Sequence, residues 1–447
     1  MANPIIGMFR IKELRERILF TFGMLLVFRI GAVFPIPGIN VTVLKNYFDM
    51  GSSSGGNPIV NYLDFFAGGA FSNFSVFMLG IMPYISMSII MQLLLIVFPS
   101  LKKISQEDGG RKKIQKWQRY GTVVVCLIQS FAVTQYAQVI SRSTPEPLLN
   151  ISMFSFTLIA MLTVTTGTMF LMWIGEQITK RGVGNGISLL IYAGIVARLP
   201  TAVFELFNMM RRGGSDGINP VFVVIVLVMF VGIVALVVFE QQGQRKIPVN
   251  YAKRVVGRKM YGAQNTYIPF KINPSGVIPV IFASSILMFP LQIAQTVGGN
   301  VPWLATASRL LNPQGALYNI LYVVLIVFFA YFYTQVTLNP IEIAKQIREN
   351  GGSIPGIRAE GIEKYLTKIL NRIVLPGSLY LALIAVIPTL IQLAFRIPSS
   401  IAFLMGGTSL LIMVGVGLDT MKQVEGLLKM HHHEGLVKRG KIRGRNL

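Results

Sequence analysis

The side chains of this 447-residue chain that could do chemistry are few, and none is spaced for catalysis. Cys126 is the one cysteine and sits in an apolar run, after Val123-Val124-Val125 and before Leu127-Ile128. It permits no internal disulfide and no thiolate metal site, and it reads as a small buried hydrophobe. The three histidines are consecutive, His431-His432-His433. Neighbours in sequence share no helical face, so a solvated tail is the simpler reading beside metal binding. No Gly-rich phosphate loop ending in Lys-Ser/Thr and no HExxH motif occurs, and no Gly-x-Ser-x-Gly run follows a strand-like segment as a nucleophile elbow requires. No metal site or cofactor is therefore expected, and the energy for any transport must come from a partner or a membrane potential. What remains is charge: a formal +23, with Lys253-Arg254 and Arg358 in long polar segments and Arg29 inside an apolar one. Two readings fit Arg29, a functional intramembrane cation and a side chain snorkelling to the nearer interface.

The elements carrying these residues follow from composition. Apolar residues make up 53% of the chain and charged residues 13%, about half the charge of a soluble protein. Mean hydropathy is +0.59. A helix needs about 20 mostly apolar residues to cross the hydrocarbon. Val221–Phe239 and Leu317–Leu338 hold no charged residue. Further candidate spans lie near 18–35, 76–98, 119–140, 152–175, 186–207, 275–296, 373–394 and 399–421. The first carries Arg29, the fifth Arg198, Pro200 and Glu205, and the seventh Pro279 and Pro290. Such residues are tolerated where other helices or a wet cavity shield them. Ten spans are expected.

Orientation follows from the basic residues. Of 41 Lys and Arg, 33 lie at the amino end, in 99–119, 176–185, 240–274 and 339–372, and in the tail 422–447. The alternate segments hold only Lys45, Arg142, Arg198, Arg211, Arg212, Arg309 and Arg396. Lys and Arg stay on the cytoplasmic side, so both ends are expected inside. The net charge then belongs to cytoplasmic loops that meet anionic lipid or a partner, not to a nucleic-acid-binding domain. The first apolar run leads into Pro35-Ile36-Pro37-Gly38 and not a small-residue cleavage site, so no cleavable signal is expected. Five spans followed by five imply two halves of opposite topology, as in inverted-repeat transporters.

Two cytoplasmic segments are long. Residues 240–274 alternate apolar and polar side chains around Pro248, Gly257 and Gly262, a pattern that suits a protruding β-hairpin-like loop. Residues 339–372 contain Gly351-Gly352 and Pro355-Gly356, which put Arg358 at or near an exposed tip. Loops of this length are usually functional or disordered. A docking surface for an acidic or phosphate-rich partner and plain positive-inside charge both fit them. On the other face, Tyr62-Leu63-Asp64-Phe65-Phe66-Ala67-Gly68-Gly69-Ala70-Phe71 is apolar but too short and glycine-broken to span. A re-entrant segment and an ordinary external loop fit it equally.

Six runs then resemble the SecY family in order and spacing: Gly80-Ile81-Met82-Pro83-Tyr84-Ile85-Ser86, Gly182-Val183-Gly184-Asn185-Gly186-Ile187-Ser188, Ile247-Pro248-Val249-Asn250-Tyr251-Ala252-Lys253-Arg254, Asn273-Pro274-Ser275-Gly276-Val277-Ile278-Pro279, Ile354-Pro355-Gly356-Ile357-Arg358 and Gly406-Gly407-Thr408-Ser409-Leu410-Leu411-Ile412. Two positions depart from the family: Ala359-Glu360 stands where bacterial members usually have Pro-Gly, and Asn250 where Gln is common.

The resemblance implies an all-α membrane protein with ten transmembrane helices in two pseudo-symmetric inverted halves, 1–210 and 211–447, forming a clamshell around a pore. Secretory chains would cross its centre, and transmembrane segments would leave sideways between the second and seventh spans into the bacterial inner membrane. Positions matching the family constriction are Ile81, Ile85, Ile187, Ile191, Ile278 and Ile412, and the segment near 60–75 matches the plug. Implied partners are two small subunits (SecE-like and SecG-like), a SecA-type motor ATPase, the ribosome, and secretory and membrane-protein precursors. Docking falls to Lys253, Arg254 and Arg358. The pairs Ile81/Ile85 and Ile187/Ile191 are four residues apart and put two branched side chains on one helical face. A converging ring of such groups blocks ions by dewetting, although the same pairs also suit lipid contact or packing. Ser86, Gln92, Ser284, Ser285 and Ile286 are the lateral-gate candidates. Their polar members fit a seam, and they fit ordinary helix–helix hydrogen bonding as well. The competing class, an inverted-repeat solute transporter, needs paired charges near the midplane and leaves the long basic loops unexplained.

Overall fold

The computed structural model describes residues 11–53, 64, 67–145, 147–211, 220–251, 254–256, 259–261, 265–297, 315–395 and 407–439. In chain order the elements are α1 (Lys12–Gly31), α2 (Val41–Ser53), α3 (Met82–Val97), α4 (Pro99–Gln106), α5 (Gly110–Ser143), α6 (Met153–Arg181), α7 (Gly186–Arg211) and α8 (Pro220–Gln242). Next come the strands β1 (Gln244–Tyr251), β2 (Arg254–Val256), β3 (Lys259–Tyr261) and β4 (Asn265–Lys271), then α9 (Ile278–Val297), α10 (Ala316–Thr337) and α11 (Pro340–Glu349). The short strand β5 (Gly352–Ser353), α12 (Ile362–Phe395) and α13 (Gly407–Arg439) complete the order.

Local sequence sets the boundaries. Pro83 occupies the first turn of α3, where a missing N–H costs nothing. Phe98, held before Pro99, is extended at φ −107°, ψ 104°, because the proline ring excludes the helical conformation there. Helix α4 consequently leaves α3 at 108°. Among the described residues, four helices are individually long and apolar enough to cross a membrane, and the bent α3–α4 pair makes five. Shorter apolar helices run over Gly186–Thr201, Leu227–Gln242 and Ile278–Leu287. Several helices outrun the hydropathy-defined spans: α5 and α12 have 34 residues each, about 51 Å at 1.5 Å per residue. Hydropathy marks only the apolar stretch, while backbone hydrogen bonding continues into the polar residues beyond it.

The chain forms two compact units, residues 1–205 with 412–447, and residues 206–411. In the first, α5 packs on α6 and α3, and α1 packs on α6. In the second, α10 packs on α9 and α12, and α8 also meets α12. Large apolar side chains point outward, among them Phe154 at 75% and Leu162 at 71% exposure on α6 and Phe239 at 77% on α8. In water such a surface would be costly; in lipid it is the expected exterior.

Candidate functional site

A cluster of paired charges and hydrogen bonds lies on the segment entering α3. Asp64 is buried and its carboxylate has two partners: it forms an ion pair with Arg198 of α7 and accepts a hydrogen bond from Ser72 N at 2.7 Å. Arg198 also reaches Ser72 Oγ at 3.4 Å. From the opposite side, Arg29 in the last turn of α1 donates through Nη1 to the Gly68 carbonyl at 2.8 Å. The backbone at Gly68 has φ +66°, and a Cβ there would lie 2.8 Å from Cα of Gly194 on α7, so only glycine fits. Beyond it, Phe71 and Phe74 pack on Tyr136 of α5 with ring centroids 5.8 and 6.2 Å apart. Phe74 is fully buried at φ +44°, a conformation non-glycine residues rarely hold. Its carbonyl accepts from Ile36 N at 2.8 Å, and Val76 N donates to Phe34 O at 3.0 Å. Tyr62, Leu63, Phe65 and Phe66 lie outside the described residues, whereas Ala67, Gly68, Gly69, Ala70 and Phe71 form tight turns.

Arg29, exposed as a residue, spends one guanidinium nitrogen on this segment, a contact that fits both readings of it. Arg198 was legible only as a flaw in the fifth span. Its pairing with Asp64 follows the rule that intramembrane charges find opposite partners, yet 134 residues separate the two in sequence.

The constriction candidates occupy the starts of helices. Ile81 caps α3 and Ile85 follows one turn later, with Ile85 N donating to Ile81 O at 3.1 Å; both are buried. Ile187 and Ile191 face alike on the first turns of α7. That helix start is fixed by Asn185, whose side chain accepts from Ile187 N at 3.1 Å. Gly186 is there because a Cβ would meet the Gly175 carbonyl of α6 at 2.0 Å. Ile187 packs against Gly175, so part of its side chain serves helix packing. Ile412, 1% exposed, belongs to the first unit with these four, and Ile278 opens α9 in the second. The turn before Ile278 is closed by Asn273 Nδ2 donating to Gly276 O at 2.8 Å and Ser275 Oγ donating to Asn273 Oδ1 at 2.8 Å. The start of α13 is tied to α10 by a 2.8 Å hydrogen bond between Tyr322 and Thr408.

The hydroxyls of the lateral-gate candidates are satisfied within their own helices. Ser86 Oγ donates to Met82 O at 3.0 Å, and Ser284 and Ser285 donate to Ile281 O at 2.9 and 2.8 Å. Gln92 Oε1 is buried without a hydrogen-bond partner. Ile286 is half-buried on α9.

The two long basic loops form one folded module. Strand β1 pairs antiparallel with β4 from Gln244↔Lys271 to Asn250↔Asn265, and with β5 at Asn250↔Ser353 and Tyr251↔Gly352. Ile247, Val249 and Phe270 of this sheet join Ala344, Ile347, Ile354, Ile362, Leu366 and Ile369 in one apolar core. A second, small hairpin pairs β2 with β3 and contains Arg254; Lys253 lies outside the described residues. The Pro355-Gly356 turn closes with Ile357 N on Ile354 O at 3.1 Å and Gly356 at φ +80°. Arg358 follows directly and is exposed. The sheet between the loops was not expected from sequence, although Ile247 and Val249 alternate as a half-buried strand requires. The backbone of His431–His433 continues α13, and no cluster of metal-binding side chains occurs among the described residues.

Comparison with known proteins gives the lineage. Residues 75–421 match the family model SecY. The chain is 45% identical over 429 residues to the protein translocase subunit SecY of Borreliella burgdorferi, covering 96% of both chains. It is 43% identical over 436 residues to that of Escherichia coli K12, covering 97% of this chain and 96% of the relative. Among solved structures, one described as "The structure of a protein conducting channel" superposes with a TM-score of 0.65 at 18% identity, covering 92% of each chain. Sec61 in the canine ribosome-channel complex gives 0.61 at 17% identity, again over 92% of each. The match to the family model and the near-full-length identity lead to one conclusion: this chain belongs to the SecY family.

Proposed function

We infer that the chain is the pore-forming subunit of a protein-translocation channel, passing unfolded secretory polypeptides across the membrane and releasing transmembrane segments sideways into the bilayer. The observation carrying this reading is the 45% identity to a protein translocase subunit SecY over 96% of both chains. The fold adds support, since the neighbours include a protein-conducting channel. In this reading ten spans in two inverted halves, 1–210 and 211–447, surround the pore, with both termini cytoplasmic in a bacterial inner membrane. Ile81, Ile85, Ile187, Ile191, Ile278 and Ile412 form the constriction, and residues 62–71 plug it from outside. The lateral opening runs between α3, with Ser86 and Gln92, and α9, with Ser284, Ser285 and Ile286.

The cytoplasmic module carrying Arg254 and Arg358 is the docking surface for a ribosome and a motor ATPase of the SecA type. Its exposed Arg358 and its shared apolar core support a rigid platform over two independent flexible loops. Small SecE-like and SecG-like subunits complete the assembly, and the chain itself carries no catalysis. Site-specific crosslinking of a stalled secretory chain tests the proposal. A photoreactive residue at position 81, 191 or 412 should capture the passenger, and a position on the outward face such as 162 should not. Equal capture at all four would refute a central path lined by these residues.

A further inference from the structure

Helix α12 presents one exposed stripe that changes chemistry partway along. Lys364, Lys368 and Arg372 are exposed and four residues apart, and the stripe continues through Leu375, Leu379, Leu383 and Leu390. At 100° per residue these seven positions fall within about 100° of one another around the helix. The leucines are 48–58% exposed and belong to one of the long apolar helices. Leucines this open on a membrane-crossing helix contact acyl chains, so the cations continuing the same stripe face the same leaflet's headgroups. Thr367 and Asn371 lie beside them, and together with Glu363 they line an open hollow of about 530 Å³. Among the described residues none of the three cations is paired with a carboxylate. At the edge of the hollow, Tyr331 OH of α10 donates to Asn371 O at 3.3 Å.

The axial heights rank the three cations. The interfacial layer is about 5–7 Å thick on each side of the hydrocarbon. Arg372 is three residues, or about 4.5 Å, from Leu375, and Lys368 is about 10 Å from it. Lys364 is about 16 Å away. Side chains on a helix lean toward its N-terminus, here the cytoplasmic end, which lifts the Arg372 guanidinium from the hydrocarbon edge into the phosphate layer. Lys368 starts about 3 Å beyond that layer and meets the phosphate by bending its flexible stem back toward Arg372, and Lys364 stands in water.

We propose that this face of α12 is a binding site for an anionic phospholipid headgroup, with Arg372 and Lys368 gripping the phosphate and the Asn371 amide offering a hydrogen bond beside it. The planar guanidinium of Arg372 suits bidentate contact with a phosphodiester. Glu363 at the cytoplasmic rim leaves the hollow a net charge of +2, enough to select anionic over zwitterionic lipid.

The test uses the full chain in non-ionic detergent, titrated with phosphatidylglycerol, with phosphatidylcholine of the same acyl chains, and with inorganic phosphate. Retained molecules are counted by native mass spectrometry. Wild type should retain phosphatidylglycerol selectively. A basic side chain near an anionic surface contributes about five-fold in affinity, so Arg372→Gln should lose about that factor and Arg372→Gln/Lys368→Gln on the order of 25-fold. Lys364→Gln should change affinity less than two-fold, roughly, being in screened water. The charge-keeping pair Arg372→Lys/Lys368→Arg should retain binding. Unchanged phosphatidylglycerol retention in the double Gln variant, equal retention of phosphatidylcholine, or loss in the charge-keeping pair would each overturn the site. Displacement of the lipid by equimolar inorganic phosphate would mark a free-anion site instead. So would the double Gln variant losing ribosome affinity while keeping its lipid, which would assign the stripe to RNA. The proposal rests on α12 spanning the bilayer, and failure of that reading would appear separately, as release of the wild-type chain from vesicles by alkaline carbonate.

Discussion

Replacing Asp64 with Asn should open the resting channel without any substrate. Asn keeps an oxygen to accept from Ser72 N but removes the charge facing Arg198. The Asp64 side chain is 10% exposed and that of Arg198 is 29% exposed, so the pair is neither solvent-screened nor fully interior. Exposed pairs contribute about 0–1 kcal/mol, while breaking a fully buried pair costs about 3–5 kcal/mol. A loss of about 2 kcal/mol lies between these limits and corresponds to about a 30-fold rise in the displaced population, at 1.4 kcal/mol per decade. A plug displaced one part in a thousand at rest would then be out a few per cent of the time, a range readily seen in planar-bilayer recordings as openings without a passenger. Arg198→Gln should give a comparable rise. The two changes should not add: once one charge is gone, removing the other also removes an unpaired buried charge. A double variant no leakier than the worse single variant is therefore expected. Both single variants as tight as wild type, or fully additive leaks, would refute the latch.

Four further outcomes are expected. Ile81→Asn, Ile191→Asn and Ile278→Asn combined should hydrate the constriction and raise resting conductance at least several-fold; a bilayer that stays tight removes those positions from the seal. Cysteines at Ser86 and Ile286, introduced after Cys126 is replaced, should form a disulfide that blocks release of signal sequences until reduced; full activity with the bond verified by mass spectrometry would exclude this gate. Arg358→Glu should weaken equilibrium binding to ribosomes or motor ATPase by roughly ten-fold, the scale of a charge-assisted hydrogen bond, and the loss from Lys253→Glu or Arg254→Glu should shrink with salt; unaltered affinity for both partners in all three would reduce the loops to orientation signals. Glu240 is 4% exposed on α8 and its Oε1 is buried without a hydrogen-bond partner, so Glu240→Gln, which removes a buried ionisable group, should raise the thermal-unfolding midpoint; a lowered midpoint would contradict this.

What was legible in the sequence was what one-dimensional patterns encode. Long apolar runs marked the helices, because burying backbone polar groups in lipid leaves few alternatives. Pro355-Gly356 marked its turn, because φ and hydrogen bonding there are local. Contacts between distant segments were not legible. Residues 244–251 could be read as a strand, but nothing local to Gly352-Ser353 announces that two residues will pair with Asn250 and Tyr251. Likewise Arg198 looked like a defect in an apolar helix until Asp64 was found beside it. Helix ends were misjudged for a simpler reason: at α5 and α12 hydropathy falls where the lipid ends, while the helical hydrogen bonds continue.

If residues 62–71 are the plug proposed above, the contacts of this segment bear on how a seal could also open. A segment held by large apolar side chains would resist displacement at about 25 cal/mol for each Å² uncovered, and water arriving in the pore would not loosen it. Here the apolar hold is confined to Phe71 and the adjoining Phe74 on Tyr136, Gly68 lies against Gly194 with little side-chain surface between them, and the directional contacts are Arg29 to the Gly68 carbonyl and Asp64 to Arg198 and Ser72. Each of these groups can exchange its partner for water. The attraction between the charges is strong while the site is dry and falls several-fold as the local dielectric rises toward that of water. Entry of a polar passenger and its hydration water would therefore weaken the latch in the act of reaching it, and expulsion of that water would restore it. If the proposed ring seals the path, ring and latch would fail together on wetting and recover together on drying, which would make a closed state sharp without making it costly to leave.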